Sequence, residues 1–94
     1  MKLTFEWDEA KAKANFKKHK VNFEDGKTIF NDLFLFTFPD NEHSKNEERY
    51  INIGISANGR VLVVTHTERN DKIRIINCRK ATKSERRFYE EGGF

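Results

Sequence analysis

Two short turn sequences in the second half of the chain constrain its fold more than any other feature. Asn58-Gly59 tolerates positive φ and predicts a tight hairpin, and Asn70-Asp71 predicts a second turn. Residues 49–56 alternate apolar and polar, residues 60–67 contain a continuous apolar run, and residues 73–79 follow the second turn. The pattern therefore predicts an antiparallel meander of three strands, with the second strand at its centre.

Two short helices are predicted at the start of the chain, after a brief strand over residues 2–6. The Asp8 side chain can cap a helix that runs to about Lys20. Asn22 can cap a second helix that ends near Asn31. In the first helix, the spacing along one side predicts that three residues face the core: Trp7, Ala10 and Ala14.

The other segments complete an α+β pattern. Residues 33–38 form the longest apolar run, which we interpret as a strand buried on both faces. Residues 82–85 have the spacing of a capping box and predict a last helix to about Glu91, which Gly92-Gly93 ends. The order is then strand, helix, helix, four antiparallel strands and helix. This order predicts one α+β domain over residues 1–94.

The composition excludes several classes of protein. Hydrophobic residues make up 36% and aromatic residues 13% of the chain, which is too apolar for a disordered protein. The longest apolar run is far too short to span a bilayer, and the N-terminus lacks a signal-peptide pattern. We therefore expect a soluble, cytoplasmic protein with no membrane partner. The single cysteine, Cys78, excludes an intrachain disulfide and a cysteine-based zinc cluster, and its neighbours favour a core position.

Positive charge is concentrated late in the chain. The formal net charge of +3 is modest, but every arginine lies at or after Arg49. Guanidinium groups make forked contacts with phosphate, so this segregation favours a phosphate-facing surface. The densest stretch contains these cationic residues: Arg69, Lys72, Arg74, Arg79, Lys80, Lys83, Arg86 and Arg87.

Because side chains alternate along a strand, part of this basic stretch can be assigned to one or the other face of the sheet. Arg74 and Lys80 have the same parity, so we expect them to share one face of the sheet, with Arg79 on the other. If the last helix folds back across the sheet, several of these cations converge. The alternative is a set of arginines scattered over the surface, each paired with a glutamate such as Glu68 or Glu85.

Few residues could transfer protons in a site that cleaves RNA. Cleavage without a metal needs the 2′-hydroxyl deprotonated and the extra phosphate charge stabilised. His66 titrates in a useful range and lies two residues from Glu68 on the same strand face. A strand-end histidine that is bonded to backbone explains His66 equally well. His19 and His43 have no partners at metal-ligand spacing, so we expect no metal and no cofactor.

Several segments together resemble one known family. In chain order they are Phe5-Glu6-Trp7-Asp8-Glu9-Ala10-Lys11, Asn22-Phe23-Glu24-Asp25, Arg60-Val61-Leu62-Val63-Val64-Thr65-His66-Thr67-Glu68-Arg69, Arg74-Ile75-Ile76-Asn77-Cys78-Arg79-Lys80-Ala81-Thr82, Glu85-Arg86-Arg87 and Tyr89-Glu90. In this combination the chain resembles the BrnT toxins of type II toxin–antitoxin systems throughout its length. The resemblance implies a RelE-like fold, with two N-terminal helices, a four- to five-stranded mainly antiparallel sheet and a C-terminal helix.

The resemblance also implies an activity and partners. Proteins of this family are understood as ribonucleases that block translation, neutralised by a BrnA-type antitoxin with a ribbon-helix-helix DNA-binding end. Toxin and antitoxin, as a 2:2 heterotetramer, would repress their own operon through operator DNA bound by the antitoxin. A basic cleft is readily covered by an acidic or helical segment, so we expect the complex to bury part of the catalytic surface.

Carried onto this sequence, the resemblance implies a set of residues around the scissile phosphate: Glu68, Arg69, Arg74, Arg79 and Lys80, with His66, Arg86 and Arg87 nearby. We expect Arg69 and Arg79 to clamp the phosphate, and His66 or Glu68 to transfer protons. Further RNA contacts are expected from Arg49, Tyr50, Lys83 and Tyr89, although either tyrosine could equally lie at the edge of the core. The chain departs from the family at Cys78, where alanine is frequent, and at His66, where tyrosine is common.

Two other functions fit the same residues. The basic face could grip backbone phosphates in a nucleic-acid-binding or co-repressor module without catalysis, which would show strong salt dependence. The chain could also be an interaction protein whose first helices and aromatic residues dock a partner. New RNA ends after incubation with the protein distinguish the ribonuclease from both.

Overall fold

The computed structural model describes residues 3–93, which form three helices and a five-stranded sheet. In chain order the elements are β1 (Phe5–Glu6), α1 (Glu9–His19), α2 (Phe23–Lys27), β2 (Phe36–Pro39), β3 (Arg49–Ile55), β4 (Val61–Arg69), β5 (Lys72–Lys80) and α3 (Lys83–Glu90). The strand order is β1-β5-β4-β3-β2, in which only the β1–β5 pair is parallel. The predicted α+β architecture is confirmed. Within this span, no helix is long and apolar enough to cross a membrane.

Side-chain caps begin the helices where the sequence predicts. The Asp8 carboxylate accepts a hydrogen bond from a backbone N–H of the first turn of α1 (3.1 Å), and the Asn22 side chain does the same in α2 (2.7 Å). Thr82 and Glu85 form the reciprocal capping box of α3. Each cap satisfies a backbone donor that helix geometry leaves without a partner, so local sequence sets where these helices begin.

Both predicted turns of the meander are confirmed. Asn70 and Asp71 have φ values of 50° and 64°, which suit the twist of a two-residue hairpin. In the other turn Gly59 adopts φ 77°, whereas Asn58 does not have the positive φ that the sequence allows. The Ser56 N–H donates to the Arg60 carbonyl (2.8 Å) and the Gly59 N–H to the Ser56 carbonyl (2.9 Å), which closes the loop. β4 therefore lies at the centre of the sheet, between β3 and β5.

The two faces of the sheet are covered differently. Strand register places one set of side chains toward α1 and α2, on what is termed the α1 face: Tyr50, Asn52, Gly54, Leu62, Val64, His66, Ile75 and Cys78. The other set lies on the α3 face: Arg49, Ile51, Ile53, Val63, Thr65, Thr67, Arg69, Arg74, Asn77 and Arg79. The main core lies between the α1 face and the helices. α3 covers mainly the β2 and β3 side of its face, where Phe88 packs on Phe36 and Phe38.

An asparagine, rather than the predicted alanines, faces the sheet from α1. The Asn15 amide group donates to the carbonyls of Cys78 (2.7 Å) and Val21 (3.1 Å), and its oxygen accepts the Cys78 N–H (3.1 Å). Ala10 and Ala14 are exposed, so the prediction that they face the core is wrong. β1 pairs with β5 only at Ile73 and Arg74. The buried backbone of β5 at Cys78 therefore needs another hydrogen-bond partner, which the Asn15 side chain supplies.

The apolar run before Pro39 is a turn followed by an edge strand, and its prediction as a doubly buried strand is wrong. Leu33 is 94% exposed and Phe34 is 73% exposed, and β2 begins only at Phe36. The cause is Asp32, whose carboxylate accepts the Phe34 N–H (2.9 Å) and turns the chain before the strand begins.

A bulge in β5 interrupts the alternation of its side chains. Thr65 of β4 lies opposite Asn77, but the next residue, His66, lies opposite Ile75. Ile76 is therefore an extra residue in β5.

The bulge reverses the parity between the two ends of β5. Arg74 and Arg79 consequently share the α3 face, whereas Lys80 lies on the other, so the prediction that Arg74 and Lys80 share a face is wrong. A one-residue insertion moves every later side chain to the opposite face, and regular alternation gives no sign of it.

The contact between Gly26 of α2 and Cys78 of β5 tests the helix–sheet packing. A methyl group added at Gly26 would lie 2.6 Å from the Cys78 sulfur. We expect Gly26→Ala to lower the free energy of unfolding by about 1–3 kcal/mol, because helix and strand must move apart. In a Cys78→Ala background the nearest remaining atoms lie at 3.4 Å, so the same change should cost much less. Urea unfolding of the wild type, the two single variants and the double variant measures the cost of Gly26→Ala in each background. An equal loss of unfolding free energy in both backgrounds would contradict this packing.

Candidate functional site

Three arginines of the α3 face lie at one end of the sheet. Arg49, Thr67 and Arg74 are paired across β3, β4 and β5 in one row, and Arg69 lies two residues further along β4. The three arginines, Arg49, Arg69 and Arg74, are termed the arginine cluster. Thr67 is buried between them and donates its hydroxyl to the Glu48 carbonyl (2.7 Å), which fixes the end of the loop before β3 against the cluster.

The Glu47 carboxylate lies in the field of all three guanidinium groups. It accepts hydrogen bonds from Arg69 Nε (3.1 Å) and Arg69 Nη2 (3.3 Å). These bonds are the main reason that the pKa of Glu47 is lowered, and the charges of Arg69, Arg49 and Arg74 lower it further. Three guanidinium groups therefore stabilise negative charge at the position of the Glu47 carboxylate.

The arginine cluster is only partly neutralised by the residues that the structure describes. Arg74 Nη1 donates to Glu6 (3.1 Å), and Glu47 is the partner of Arg69. No carboxylate of residues 3–93 forms an ion pair with Arg49, whose buried Nε has no hydrogen-bond partner there. Each guanidinium carries five N–H donors, so two carboxylates leave many donors of the cluster for an anionic ligand.

Arg79 forms a second basic point on the same face. Its Nη1 and Nη2 donate to the two Glu85 oxygens (2.7 and 2.9 Å), which joins β5 to the start of α3. This contact is the largest cause that lowers the pKa of Glu85 to about 2. Arg74 is paired with Thr67 of β4 and Arg79 with Val63, and these two positions are four residues, or about 13 Å, apart along β4. The half-buried side chains of Thr65 and Asn77 line the interval.

His66 lies on the face opposite the arginine cluster and is buried. The residue is 3% exposed, its ring stacks on Tyr50 (5.2 Å between centroids), and it meets Phe30 edge to face (5.4 Å). Burial lowers the pKa of His66 because desolvation disfavours the imidazolium, and the nearby Glu68 carboxylate only partly opposes this. The ring is therefore neutral at pH 7. The structure does not bring His66 together with the arginine cluster.

Asn52 determines which ring nitrogen of His66 carries the hydrogen. The Thr37 hydroxyl donates to Asn52 Oδ1 (2.8 Å), and Asn52 Nδ2 donates to the Val64 carbonyl (3.0 Å) and to His66 Nδ1 (2.7 Å). Nδ1 is thus an acceptor, and the hydrogen lies on Nε2, 3.7 Å from Glu68 Oε2. Sequence reasoning missed Asn52 because the polar side of an alternating strand is normally expected to face water.

The remaining predicted site residues, which are Lys80 near the scissile phosphate and the other expected RNA contacts, do not join the arginine cluster. Lys80 and Arg86 line a groove beside the β3–β4 hairpin. Lys83 and Arg87 are exposed on α3. Tyr89 donates its hydroxyl to Asp32, and burial followed by this bond raises the pKa of Tyr89 to about 12. The Tyr50 ring is stacked on His66 and its hydroxyl donates to Glu48 (2.8 Å). Both tyrosines are thus engaged within the protein.

Asp40, Glu42 and His43 form a cluster that the sequence analysis did not anticipate. Their possible ligand atoms lie within 4.8 Å of one another, and His43 Nδ1 is 2.9 Å from Asp40 Oδ2. The prediction that His43 lacks partners at metal-ligand spacing is therefore wrong. Glu42 and His43 are exposed, and exposed acidic groups commonly gather in this way without an ion, so the cluster does not assign a metal.

Cys78 occupies the core, as predicted. It is fully buried, and burial raises the pKa of its thiol to about 12. The nucleophilic form of a cysteine is the thiolate, so Cys78 cannot serve as a nucleophile here.

Comparisons with known proteins agree with this arrangement of elements. A sequence model of the family described as "Ribonuclease toxin, BrnT, of type II toxin-antitoxin system" matches residues 7–85. Among solved structures, the crystal structure of the Brucella abortus ribonuclease toxin BrnT is similar in fold, with a TM-score of 0.67 and 24% sequence identity. The match covers 87% of this chain and 100% of that chain. Curated protein sequences give no significant match.

The buried position of His66 predicts how stability depends on pH. The unfolded chain protonates this histidine near pH 6.5 and the folded chain only at lower pH, so the unfolded state binds more protons below about pH 6.5. The free energy of unfolding should therefore fall as the pH drops from 7 to 5, by up to about 1.4 kcal/mol per pH unit for one proton. His66→Gln, which can still accept from Asn52 but does not titrate, should remove most of this fall. A small fall near pH 5 should remain, because the pKa values of Glu47 and Glu85 are also lowered on folding.

Urea unfolding at pH 7 and pH 5 measures the effect. His43→Gln is the matched control, because its ring is exposed, and it should keep the fall of the wild type. A His66→Gln protein that loses as much stability as the wild type on acidification would show that His66 is not the group responsible.

Proposed function

This chain belongs to the BrnT family of ribonuclease toxins of type II toxin–antitoxin systems, and from that premise we propose that its RNA-cleaving site lies on the α3 face, at the arginine cluster. Membership of the family makes RNA the substrate class and an antitoxin protein the partner. The residues that hold the scissile phosphate are Arg49, Arg69 and Arg74, with Arg79 as a second contact along the RNA strand.

The observation that carries this proposal is the position of the Glu47 carboxylate. Arg69 donates two hydrogen bonds to it, and these bonds, together with the charges of Arg69, Arg49 and Arg74, lower the pKa of Glu47. A phosphodiester has the same charge and offers oxygens to the same forked donors, so it can take this place or one beside it. Each ion pair with a glutamate also holds its arginine in one orientation, as for Arg69 with Glu47 and Arg74 with Glu6.

The chemistry that this arrangement supports is cleavage by attack of the 2′-hydroxyl without a metal. Negative charge grows on the phosphate oxygens in the transition state, and fixed guanidinium groups stabilise this charge without having to reorganise. Contacts at both the arginine cluster and Arg79, about 13 Å apart, would hold the strand so that the attacking and leaving oxygens are in line. The 2′-oxygen bonds to phosphorus as the P–O5′ bond breaks, which gives a 2′,3′-cyclic phosphate and a 5′-hydroxyl. Solvent water accepts the 2′-hydroxyl proton and supplies a proton to the leaving 5′-oxygen, so the acceleration comes from orientation and charge stabilisation.

Proton transfer by His66 is not part of this proposal. The ring is buried on the α1 face, neutral at pH 7, and bonded to Asn52, so it does not reach a phosphate held by the arginine cluster. We assign His66 the structural role of filling the polar end of the core. Glu68 and Lys80, which also belong to the α1 face by register, are likewise left out of the site.

The partners of the proposed toxin follow from the family. We propose that the single domain over residues 1–94 binds a BrnA-like antitoxin with a ribbon-helix-helix end, as a 2:2 heterotetramer. Operator DNA would be bound through the antitoxin, so that the complex represses its own operon. The toxin's basic α3 face would then be shielded from RNA while the complex persists.

RNA cleavage by Arg74→Gln tests the site most simply. We expect this variant to cut a long single-stranded RNA on the order of 100-fold more slowly than the wild type, because one stabilising charge is lost in the transition state. Its stability should change little, since a partly exposed ion pair contributes about 0–1 kcal/mol. Lys17→Gln, which removes the same charge from the exposed side of α1, should cut like the wild type. Cleavage should continue in a metal chelator.

Three results would overturn the proposal. Equal losses of cleavage rate in Arg74→Gln and Lys17→Gln would show that the rate depends only on the net charge of the protein. Loss of cleavage in chelator would contradict a metal-free reaction. Salt-sensitive RNA binding by the wild type without new RNA ends would favour a non-catalytic nucleic-acid-binding or co-repressor module instead.

A further inference from the structure

Two large apolar side chains project into solvent just before the edge strand β2. Leu33 is 94% exposed and Phe34 is 73% exposed. They border a groove of about 560 Å³ that is lined further by Phe36 of β2 and by Tyr89 and Glu90 of α3. Leu33, Phe34 and this groove are termed the apolar ledge. Contiguous exposed apolar surface of this kind marks an interaction site in soluble proteins.

The apolar ledge is held rigidly. The Asp32 carboxylate accepts the N–H of Phe34 (2.9 Å), the N–H of Ile55 (2.8 Å) and the hydroxyl of Tyr89. One side chain thus joins the segment before β2, the end of β3 and the last turn of α3. Because these hydrogen bonds fix the backbone beside Leu33 and Phe34, a partner that binds the ledge does not have to order this backbone.

The rim of the apolar ledge is acidic. Glu90 lines the groove, and the exposed Glu91 follows it at the end of α3. The C-terminal end of a helix also carries partial negative charge from its backbone carbonyls. These two carboxylates complement a polypeptide that carries apolar side chains flanked by lysine or arginine. On its other side Glu90 borders the groove that contains Arg60, Lys80 and Arg86.

The apolar ledge is also distant from the arginine cluster. Phe36, the first residue of β2, is paired with Ile53, whereas Arg49 lies four residues away along β3, or about 13 Å. The segment that carries Leu33 and Phe34 precedes Phe36 and so lies beyond the Ile53 row, away from Arg49. A partner that holds the ledge need not compete with RNA for the same side chains.

We propose that the apolar ledge anchors the antitoxin of this toxin, through a segment whose apolar side chains are flanked by basic residues. The proposal rests on the proposed function, since it takes the partner of a type II toxin as the occupant. Leu33 and Phe34 fill apolar positions of the antitoxin segment, and Glu90 pairs with its cations. Another part of the antitoxin remains free to cover the arginine cluster.

The test compares three purified toxin proteins with the co-expressed cognate antitoxin. A double variant, Leu33→Ser with Phe34→Ser, should bind the antitoxin about 100-fold more weakly, since buried apolar anchors dominate interface affinity. It should still cut RNA, but the antitoxin should no longer suppress the cleavage at concentrations that silence the wild type. Phe16→Ser removes another exposed aromatic, 47% exposed on α1, and should bind like the wild type.

A charge variant tests the acidic rim separately. Glu90→Lys should weaken antitoxin binding several-fold, and the loss should be larger at low salt than at high salt. Thermal unfolding of each variant before the binding measurement confirms that the fold is intact.

Several outcomes would overturn the anchor. Equal affinity of the double variant and the wild type would exclude the apolar ledge, as would a larger loss in Phe16→Ser. Wild-type toxin that dimerises alone through Leu33 and Phe34 would make a second copy of this chain the occupant. Loss of RNA cleavage in the double variant would place the ledge in the RNA site. If the wild type cuts no RNA, the proposed function fails, but the antitoxin affinities still decide the anchor.

Discussion

The extra residue in β5 determines which side chains of the sheet can act together. Ile76 has no partner position in β4, so the strand presents Arg74 and Arg79 on the same face and Cys78 on the other. In an unbroken alternation Arg79 would point toward the packed helices, where a charged group without a partner is strongly unfavourable. The bulge therefore allows Cys78 to fill the core under α2 while Arg79 reaches α3.

The charges on the α3 face are arranged as positioned pairs. Arg69, Arg74 and Arg79 each meet a glutamate from a neighbouring segment, and Arg49 stands beside them. Surface ion pairs of this kind add little stability, but they restrict where each guanidinium can be. A site that works by stabilising charge benefits from this restriction, because the donors need not reorganise when the phosphate reacts. The same glutamates reduce the net positive charge of this face.

Much of the fold could be predicted from local sequence. Caps such as Asp8 and Asn22, and the turn at Asn70-Asp71, act within a few residues, so their effects can be read directly from the chain. The errors concern side chains whose partners are distant in sequence. Asn15 bonds to a strand 63 residues away, and nothing near it in the sequence reveals that strand.

The candidate site could be predicted only in outline. The concentration of arginines after Arg49 predicts a basic surface in the second half of the chain, but the bulge determines which of these arginines share a face. Glu47 lies in a polar loop and has no sequence signal, although its carboxylate is hydrogen-bonded to Arg69 and lies in the field of Arg49 and Arg74. His66 has the residue type expected of a catalytic base and instead completes the core with Asn52, because burial and hydrogen bonding, not residue type, set its protonation. The most direct measurement of the central claim is a crystal structure of the protein with an RNA oligonucleotide that cannot react because its 2′-hydroxyl groups are methylated. The account predicts a phosphate within hydrogen-bonding distance of at least two guanidinium groups of the arginine cluster. A phosphate bound instead on the α1 side, beside His66 and Glu68, would contradict it.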